Sequence, residues 1–298
     1  MTISKNKNVR SVSREIAGRT LTIETGWIAK QASASVLVSY GETAVISAVT
    51  DGGLKVLPFF PLTVEYREKT YAAGKIPGGF FKREGRPDTR EILACRLTDR
   101  SVRPMFVDGF RSEVQINNMV LSYDQENEPE VLAMIASMAA LALSNIPCDG
   151  PMAAVRLGWI DGNVIINPTW SILEDPSNRL DLIMSATQDA VCMVEAGARE
   201  LPDAEVVKVL AAGHEVCREI IGMIKELVVQ CGKPKVAPVV PAKDVETPAA
   251  VRARYGEAAI RKMLLTTGKH ERYSAIADFT KKCVAEMAPA GDDEAAKS

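Results

Sequence analysis

The chain has 298 residues, of which 47 % are hydrophobic and 25 % charged, and its net charge is -2. That length suits one large domain or two smaller ones, with enough apolar residues to bury a sizeable core. The near-neutral balance excludes a global attraction for nucleic acid, so any basic site has to be local. The six cysteines form no C-x-x-C pair and show no metal-ligand spacing, the pattern of reduced thiols in a cytosolic protein. The opening segment MTISKNKNVRSVSREI has no apolar region of the secretory kind, and the longest apolar stretch, Val131 to Leu143, is too short for a bilayer.

From Val12 to Thr50 the sequence alternates in the manner of strands, with runs at Leu21–Glu24, Val36–Tyr40 and Ala44–Val49. Gly41-Glu42 between the last two is a hairpin signal. Leu62–Glu65 reads as a further strand. From Tyr71 to Pro87 there are too many Gly and Pro residues for a regular element, and a loop of that length is more often functional than a plain connection. Asp88 to Val102 reads as a helix that Asp88 or Thr89 can cap and Pro104 closes. Glu130–Ser144 reads as a buried helix. Strands are expected at Ala153–Ile160, Val164–Asn167 and Leu180–Ser185, then a long helix over Asp203–Val229. After Cys231 the Pro- and Lys-rich run reads as an extended linker. Helices over Ala249–Leu265 and Glu271–Met287 follow, and a polar end that frays. The expected organisation is an α+β domain to about residue 232, then a small helical unit. In numbers: a disordered 1–11, a core over 12–232, a linker over 233–247 and a partial all-α domain over 248–298.

The chemistry concentrates in Gly74–Phe106, GKIPGGFFKREGRPDTREILACRLTDRSVRPMF. Phe80-Phe81-Lys82-Arg83 lies on the Gly-rich loop. Loops lie on the surface, and exposed rings beside cations suit single-stranded RNA: bases stack while Lys and Arg meet phosphates. The competing reading folds the loop over and tucks one Phe into the core. On the following helix Arg96, Arg100 and Arg103 are spaced i, i+4, i+7 and share one face, flanked by Ile92 and Leu93. A solvated face would mix signs, so an arginine row edged by apolar residues points to a cleft wall facing an anion. The competing reading pairs the row with Asp99, but one carboxylate cannot neutralise three guanidinium groups.

Other patterns carry less. His214 and His270 lie in helical stretches and in no metal or nucleophile motif. Asp175 and Asp181 could hold Mg²⁺, although solvated turn residues explain them as well. There is no phosphate-binding G-x-x-x-x-G-K-[ST] loop and no G-x-S-x-G elbow.

The run Gly74-Lys75-Ile76-Pro77-Gly78, Phe80-Phe81-Lys82-Arg83, Glu84-Gly85-Arg86-Pro87 and Arg96-Leu97-Thr98-Asp99-Arg100-Ser101-Val102-Arg103-Pro104-Met105-Phe106 resembles the signature of the polynucleotide phosphorylases. Glu24-Thr25-Gly26, Gly41-Glu42-Thr43, Asn167-Pro168-Thr169, Met193-Val194-Glu195 and Lys269-His270-Glu271-Arg272-Tyr273 extend the resemblance from about Val12 to Val284. It implies an RNase PH-like core, of the ribosomal protein S5 domain 2-like kind, followed by part of a helical linker domain. It implies a chain of two such cores in a trimeric ring that binds single-stranded RNA and serves 3′→5′ RNA decay in the cytoplasm, alongside RNA-degradation complex proteins and with no membrane partner. The reaction is phosphate attack on the RNA 3′ end, releasing nucleoside diphosphates with Mg²⁺ assisting. By resemblance, Phe80, Phe81, Lys82, Arg83 and Arg86 would bind RNA, and Arg96, Arg100 and Arg103 would line its path.

The sequence also departs from the family. Where its catalytic core opens a helix with a Gly-Ser-Ser-type phosphate turn, this chain has Asn127-Glu128-Pro129-Glu130. Pro129 has no N–H, and two glutamates repel phosphate. That fits a first core without catalytic residues of its own, the Mg²⁺ and phosphate sites lying in a second core that these residues do not include. Lys82 stands where the family usually has Arg, which keeps the charge and loses the planar fork. Asp175 and Asp181 keep the spacing of RNase PH metal carboxylates without the phosphate turn. Two alternatives stay open: a non-catalytic ring subunit or RNA-binding scaffold, and a free-standing phosphorolytic enzyme using Asp175 and Asp181.

Overall fold

The computed structural model describes residues 9–55, 57, 59–80, 82–238, 240 and 245–287. The chain divides into two compact units, Met1–Val240 and Pro241–Ser298. The described residues of the first contain ten strands, β1 (Arg10–Ile16), β2 (Arg19–Thr25), β3 (Ala34–Tyr40), β4 (Thr43–Leu54), β5 (Leu62–Glu68), β6 (Ser112–Ser122), β7 (Ala153–Ile160), β8 (Asn163–Ile166), β9 (Leu180–Ala186) and β10 (Val191–Ala198). Its helices are α1 (Thr89–Val102), α2 (Pro129–Leu143), the single turn α3 (Trp170–Leu173) and α4 (Asp203–Cys231). This is the expected α+β class.

Strands β1 to β6 form one sheet in the order β1-β2-β3-β4-β6-β5, and the rest form a second in the order β10-β9-β7-β8. All pairings are antiparallel except β5 with β6, which α1 connects as a crossover. Gly41 turns the β3–β4 hairpin with φ 61, a conformation that glycine adopts without strain. Helix α2 packs against β3 and β4 of the first sheet and β7 of the second. Among its residues only Ala142 is not buried, as a helix apolar on every side except at Glu130 and Ser137 requires. Helix α4 instead buries one stripe, Val209, Gly213, Cys217, Ile220, Ile224 and Leu227, against β7, β9 and β1.

Several expectations need correction. The first strand begins at Arg10, inside the stretch expected to be disordered. Two strands were not expected: β6, whose inward positions Val114, Ile116 and Val120 include the polar Asn118, and the exposed edge strand β10. Residues 233–236 are bound to the core: Lys233 and Val236 donate their N–H groups to Leu143 and Asn145 at 2.9 Å. Lys235 Nζ donates to the carbonyls of Leu141 (2.6 Å) and Ser144 (3.0 Å), satisfying the end of α2.

In the second unit the expected helix over 249–265 is two helices, α5 (Glu246–Tyr255) and α6 (Glu257–Leu264), because Gly256 takes φ 77. Arg254 pairs with Glu286 of α7 (Lys269–Met287) at 2.9 Å, and Tyr255 packs edge-on against Phe279 at 5.1 Å. Among the described residues no helix is long and apolar enough to cross a membrane.

Candidate functional site

The Gly-rich loop leaves β5 through a 3-10 turn, Thr70–Ala73, and returns at Asp88. Its breakers have work to do: Gly74 and Gly79 take φ 67 and 72, and even Lys82 sits at φ 48. Phe80 is 95 % exposed, so the loop does not tuck this ring into the core. Phe81 lies outside the described residues. Lys75, Lys82, Arg83 and Arg86 are exposed around Phe80 in sequence and have no acidic partner among the described residues. An exposed ring among uncommitted cations can stack on a base and meet phosphates.

A capping box starts α1: Glu91 N–H donates to Asp88 Oδ1 at 2.8 Å and Asp88 N–H to Glu91 Oε2 at 2.9 Å. Glu91 also accepts from the Glu68 N–H at 2.8 Å, which ties the helix start to β5. This fixes the helix that carries the arginine row. Arg96, Arg100 and Arg103 stand with Leu93 and Leu97 along one wall of an open cleft of about 1150 Å³. Ile183 of β9 and Glu195, Ala196 and Gly197 of β10 form the facing side.

The three arginines differ in what they hold. Arg103 pairs with Asp99 through two N–H groups (2.8 and 2.6 Å) and donates to the carbonyls of Phe60 (3.0 Å) and Leu62 (3.3 Å). Arg100 pairs with Glu195 at 2.5 Å. Arg96 is exposed and has no partner among the described residues. Asp99 thus neutralises one guanidinium, a residue from another element takes a second, and the third has no partner among the described residues.

The cleft floor is an ion network. Arg156 of β7 donates to both oxygens of Asp181 at 2.7 Å, to Glu130 at 2.7 Å and to Glu128 at 3.3 Å. Arg90 of α1 contacts Glu128 as well and lies 3.8 Å from Glu68. Tyr123 hydroxyl donates to Glu128 at 3.1 Å. Burial pushes the Glu130 carboxyl above the ordinary carboxylate range against the pull of Arg156. Burial raises Glu68 likewise, and Tyr123 is pushed up to about 12 by burial and the nearby Glu128 charge. For Arg90 the surrounding carboxylates outweigh burial and hold it firmly charged.

This network occupies the start of α2. Glu128 is the N-cap, Pro129 is the first helical residue, and no side chain caps the helix. Two carboxylates held by arginines therefore stand where N–H groups would otherwise receive an anion. The donor set does not suit a divalent cation either. Asp181 spends both oxygens on Arg156, so a metal there would displace or face a guanidinium. Asp175 lies outside the cleft lining and spends Oδ1 on the Ser177 N–H and hydroxyl (2.8 and 2.6 Å). The structure does not bring Asp175 and Asp181 together on the cleft floor. Among the described residues no group of three or more His, Cys, Asp or Glu is placed to hold a metal.

The sequence does not single out Arg156, nor Glu195 as the partner of Arg100. The signal for Arg156 was a lone arginine in the apolar run Ala153–Ile160, since a charge buried in a strand needs partners.

The model for the 3′ exoribonuclease family, domain 1 matches residues 17–147, and that for domain 2 matches residues 150–216. The polyribonucleotide nucleotidyltransferase of Brevibacillus brevis is 48 % identical over 271 residues, 91 % of this chain and 38 % of that protein. Those of Thermomicrobium roseum (46 %, covering 93 % of this chain and 35 % of that one) and Gemmatimonas aurantiaca (47 %, covering 92 % and 37 %) are similar to the same degree. The chain thus spans between 35 and 38 % of the length of these relatives. The crystal structure of rice Rrp46 shares the fold, with a TM-score of 0.54 at 13 % identity over 76 % of this chain and 98 % of that one.

Proposed function

We propose a role for this chain within the family to which it belongs, the 3′ exoribonucleases of the RNase PH type and among them the polyribonucleotide nucleotidyltransferases. Its part is to grip single-stranded RNA for phosphorolytic 3′→5′ decay carried out by the whole protein. The observation that carries this is on the loop, where the 95 %-exposed Phe80 is followed closely in sequence by Lys82 and Arg83, exposed cations with no acidic partner among the described residues. A base stacks on the ring while Lys82, Arg83 and Arg86 meet phosphates. Arg96, uncommitted on the cleft wall, is the member of the row that faces the RNA backbone, while Arg100 and Arg103 hold that wall in place.

The bond-breaking step belongs outside these residues. Phosphate attack needs donors for accumulating negative charge, and here the helix start presents Glu128 and Glu130 locked to arginines. Mg²⁺ and phosphate would serve the whole enzyme elsewhere, and Asp181, held by Arg156 through both oxygens, takes no part in the step. For ring assembly the support is apolar surface: Ile92 and Leu93 of α1 are half exposed, and so nearly are Val191 and Val194 of the edge strand β10. The setting we infer is cytoplasmic.

The test titrates the purified chain with labelled 3′-hydroxyl RNA, then adds phosphate and Mg²⁺ and measures nucleoside diphosphate. The expected outcome is binding without product, weakened about tenfold in Phe80→Ala, the worth of one stacked base. Phosphate-dependent product that disappears in Asp181→Ala would make this core an enzyme in its own right and overturn the assignment.

A further inference from the structure

Both legs of the RNA-gripping loop are fastened to one residue, Thr70. On the outgoing side, Lys75 N–H donates to the Thr70 carbonyl at 3.0 Å. On the return side, the N–H and the hydroxyl of Thr70 both donate to Glu84 Oε1, at 3.0 and 2.8 Å. Thr70 thus uses its backbone acceptor for one leg and both donors for the other. Two further contacts fix this root. Arg67 of β5 donates to the Gly85 carbonyl at 2.8 Å, and Tyr123 N–H at the end of β6 donates to the Ala72 carbonyl at 2.9 Å. The Thr70 hydrogen bonds hold the Glu84 carboxyl below its ordinary range, so it is ionised wherever the RNA contacts operate.

We propose that Glu84 and Thr70 form a staple that closes the loop over 75–84 and positions Phe80, Lys82 and Arg83 for RNA. The inference rests on the gripping role assigned above and adds a positioning pair to it. A loop with joined ends behaves as one compact unit, and its tip loses less freedom when the ligand orders it. Glu84 is an exposed carboxylate in a stretch whose neighbours Lys82, Arg83 and Arg86 meet phosphates. If it were only a solvated charge, removing it would relieve repulsion and tighten RNA binding. If it is a staple, removing it loosens the loop and weakens binding although the site becomes more positive.

The test compares Glu84→Ala, Glu84→Gln and Phe80→Ala in the full 298-residue chain, measuring RNA affinity and the rate of tryptic cleavage at Lys82 and Arg83. Glutamine keeps an oxygen able to accept both Thr70 donors while losing the charge. The expected result is RNA binding about three- to tenfold weaker in Glu84→Ala, the cost of ordering a few freed side chains, and binding equal to or tighter than the parent in Glu84→Gln. Cleavage should accelerate in Glu84→Ala alone. If Phe80→Ala weakens binding but Glu84→Ala binds as well as the parent or better, the staple is wrong and the gripping role stands. If Phe80→Ala leaves affinity unchanged, the gripping role fails and the staple's purpose fails with it. Unchanged cleavage in Glu84→Ala overturns the staple whatever the RNA result.

Discussion

Arg156 sits in β7 among apolar and small residues, and three carboxylates from two other elements converge on it: Glu128 and Glu130 at the start of α2, and Asp181 in β9. Its guanidinium is buried yet stays firmly charged, because those carboxylates outweigh the cost of burial. Removing one partner of a buried network leaves the others uncompensated, which costs more than the network contributes when whole. Arg156→Met should therefore lower the unfolding free energy by about 3–5 kcal/mol at neutral pH. The loss should shrink in acid. Glu130 already sits above the ordinary carboxylate range through burial, with Arg156 as the main opposing pull, so the variant raises it further. The folded state then keeps a proton that the unfolded chain has released, and stability falls as pH climbs from the ordinary range towards the raised value. Urea titrations at about pH 5 and about pH 7 should show the variant recovering part of its loss at the lower pH. An equal loss at both would mean that Glu130 does not feel Arg156 as a charge.

At the scale of elements, α4 shows how closely the layers approach. A Cβ on Gly213 would lie 2.5 Å from Met184 Sδ and 2.6 Å from Leu157 Cδ1, so the glycine lets the helix settle onto β7 and β9. Gly213→Val should cost about 1–3 kcal/mol by overpacking, seen as a lower melting temperature with the same secondary structure. Unchanged stability would mean that the helix rides further from the sheet. This contact was invisible in the sequence, whereas α4 itself was plain from its apolar stripe, as α1 was from its cap and Pro104. Strand β6 hid because Asn118 occupies an inward position. Its Oδ1 accepts from the Ser137 hydroxyl at 2.9 Å, so a polar pair stands where alternation would put an apolar residue. Strand β10 hid because an exposed edge strand needs no inward alternation. The same contrast governs the site. The loop and the arginine row are contiguous, and local chemistry reveals them. The network on the cleft floor draws Arg90, Glu130, Arg156 and Asp181 from four elements, and only the fold brings them together. It also settles what spacing left open: Arg100 finds Glu195 across the cleft and Arg103 keeps Asp99, so the row is less basic than it reads.

For the whole molecule this changes how RNA should respond to salt. A net charge of -2 gives no long-range pull, and most arginines near the cleft already hold carboxylates. The cations of the signature segment without an acidic partner among the described residues are Lys75, Lys82, Arg83, Arg86 and Arg96. Each phosphate neutralised on a single strand contributes about -0.7 to the slope of log affinity against log salt. Engagement of three to five of these cations gives a slope of roughly -2 to -3.5. Titrations across a salt series would measure it, and Arg96→Ala should make the slope shallower by about 0.7 if that arginine meets a phosphate. A slope of about -5 would instead mean that Arg100 and Arg103 leave Glu195 and Asp99 to join the RNA, turning the cleft wall from a structural rib into a binding surface. A slope near zero would mean that stacking on the loop carries the affinity alone. The intermediate slope is the expected one, because breaking the Arg103 pair would also forfeit its hydrogen bonds to Phe60 and Leu62, which anchor α1 to the chain entering β5.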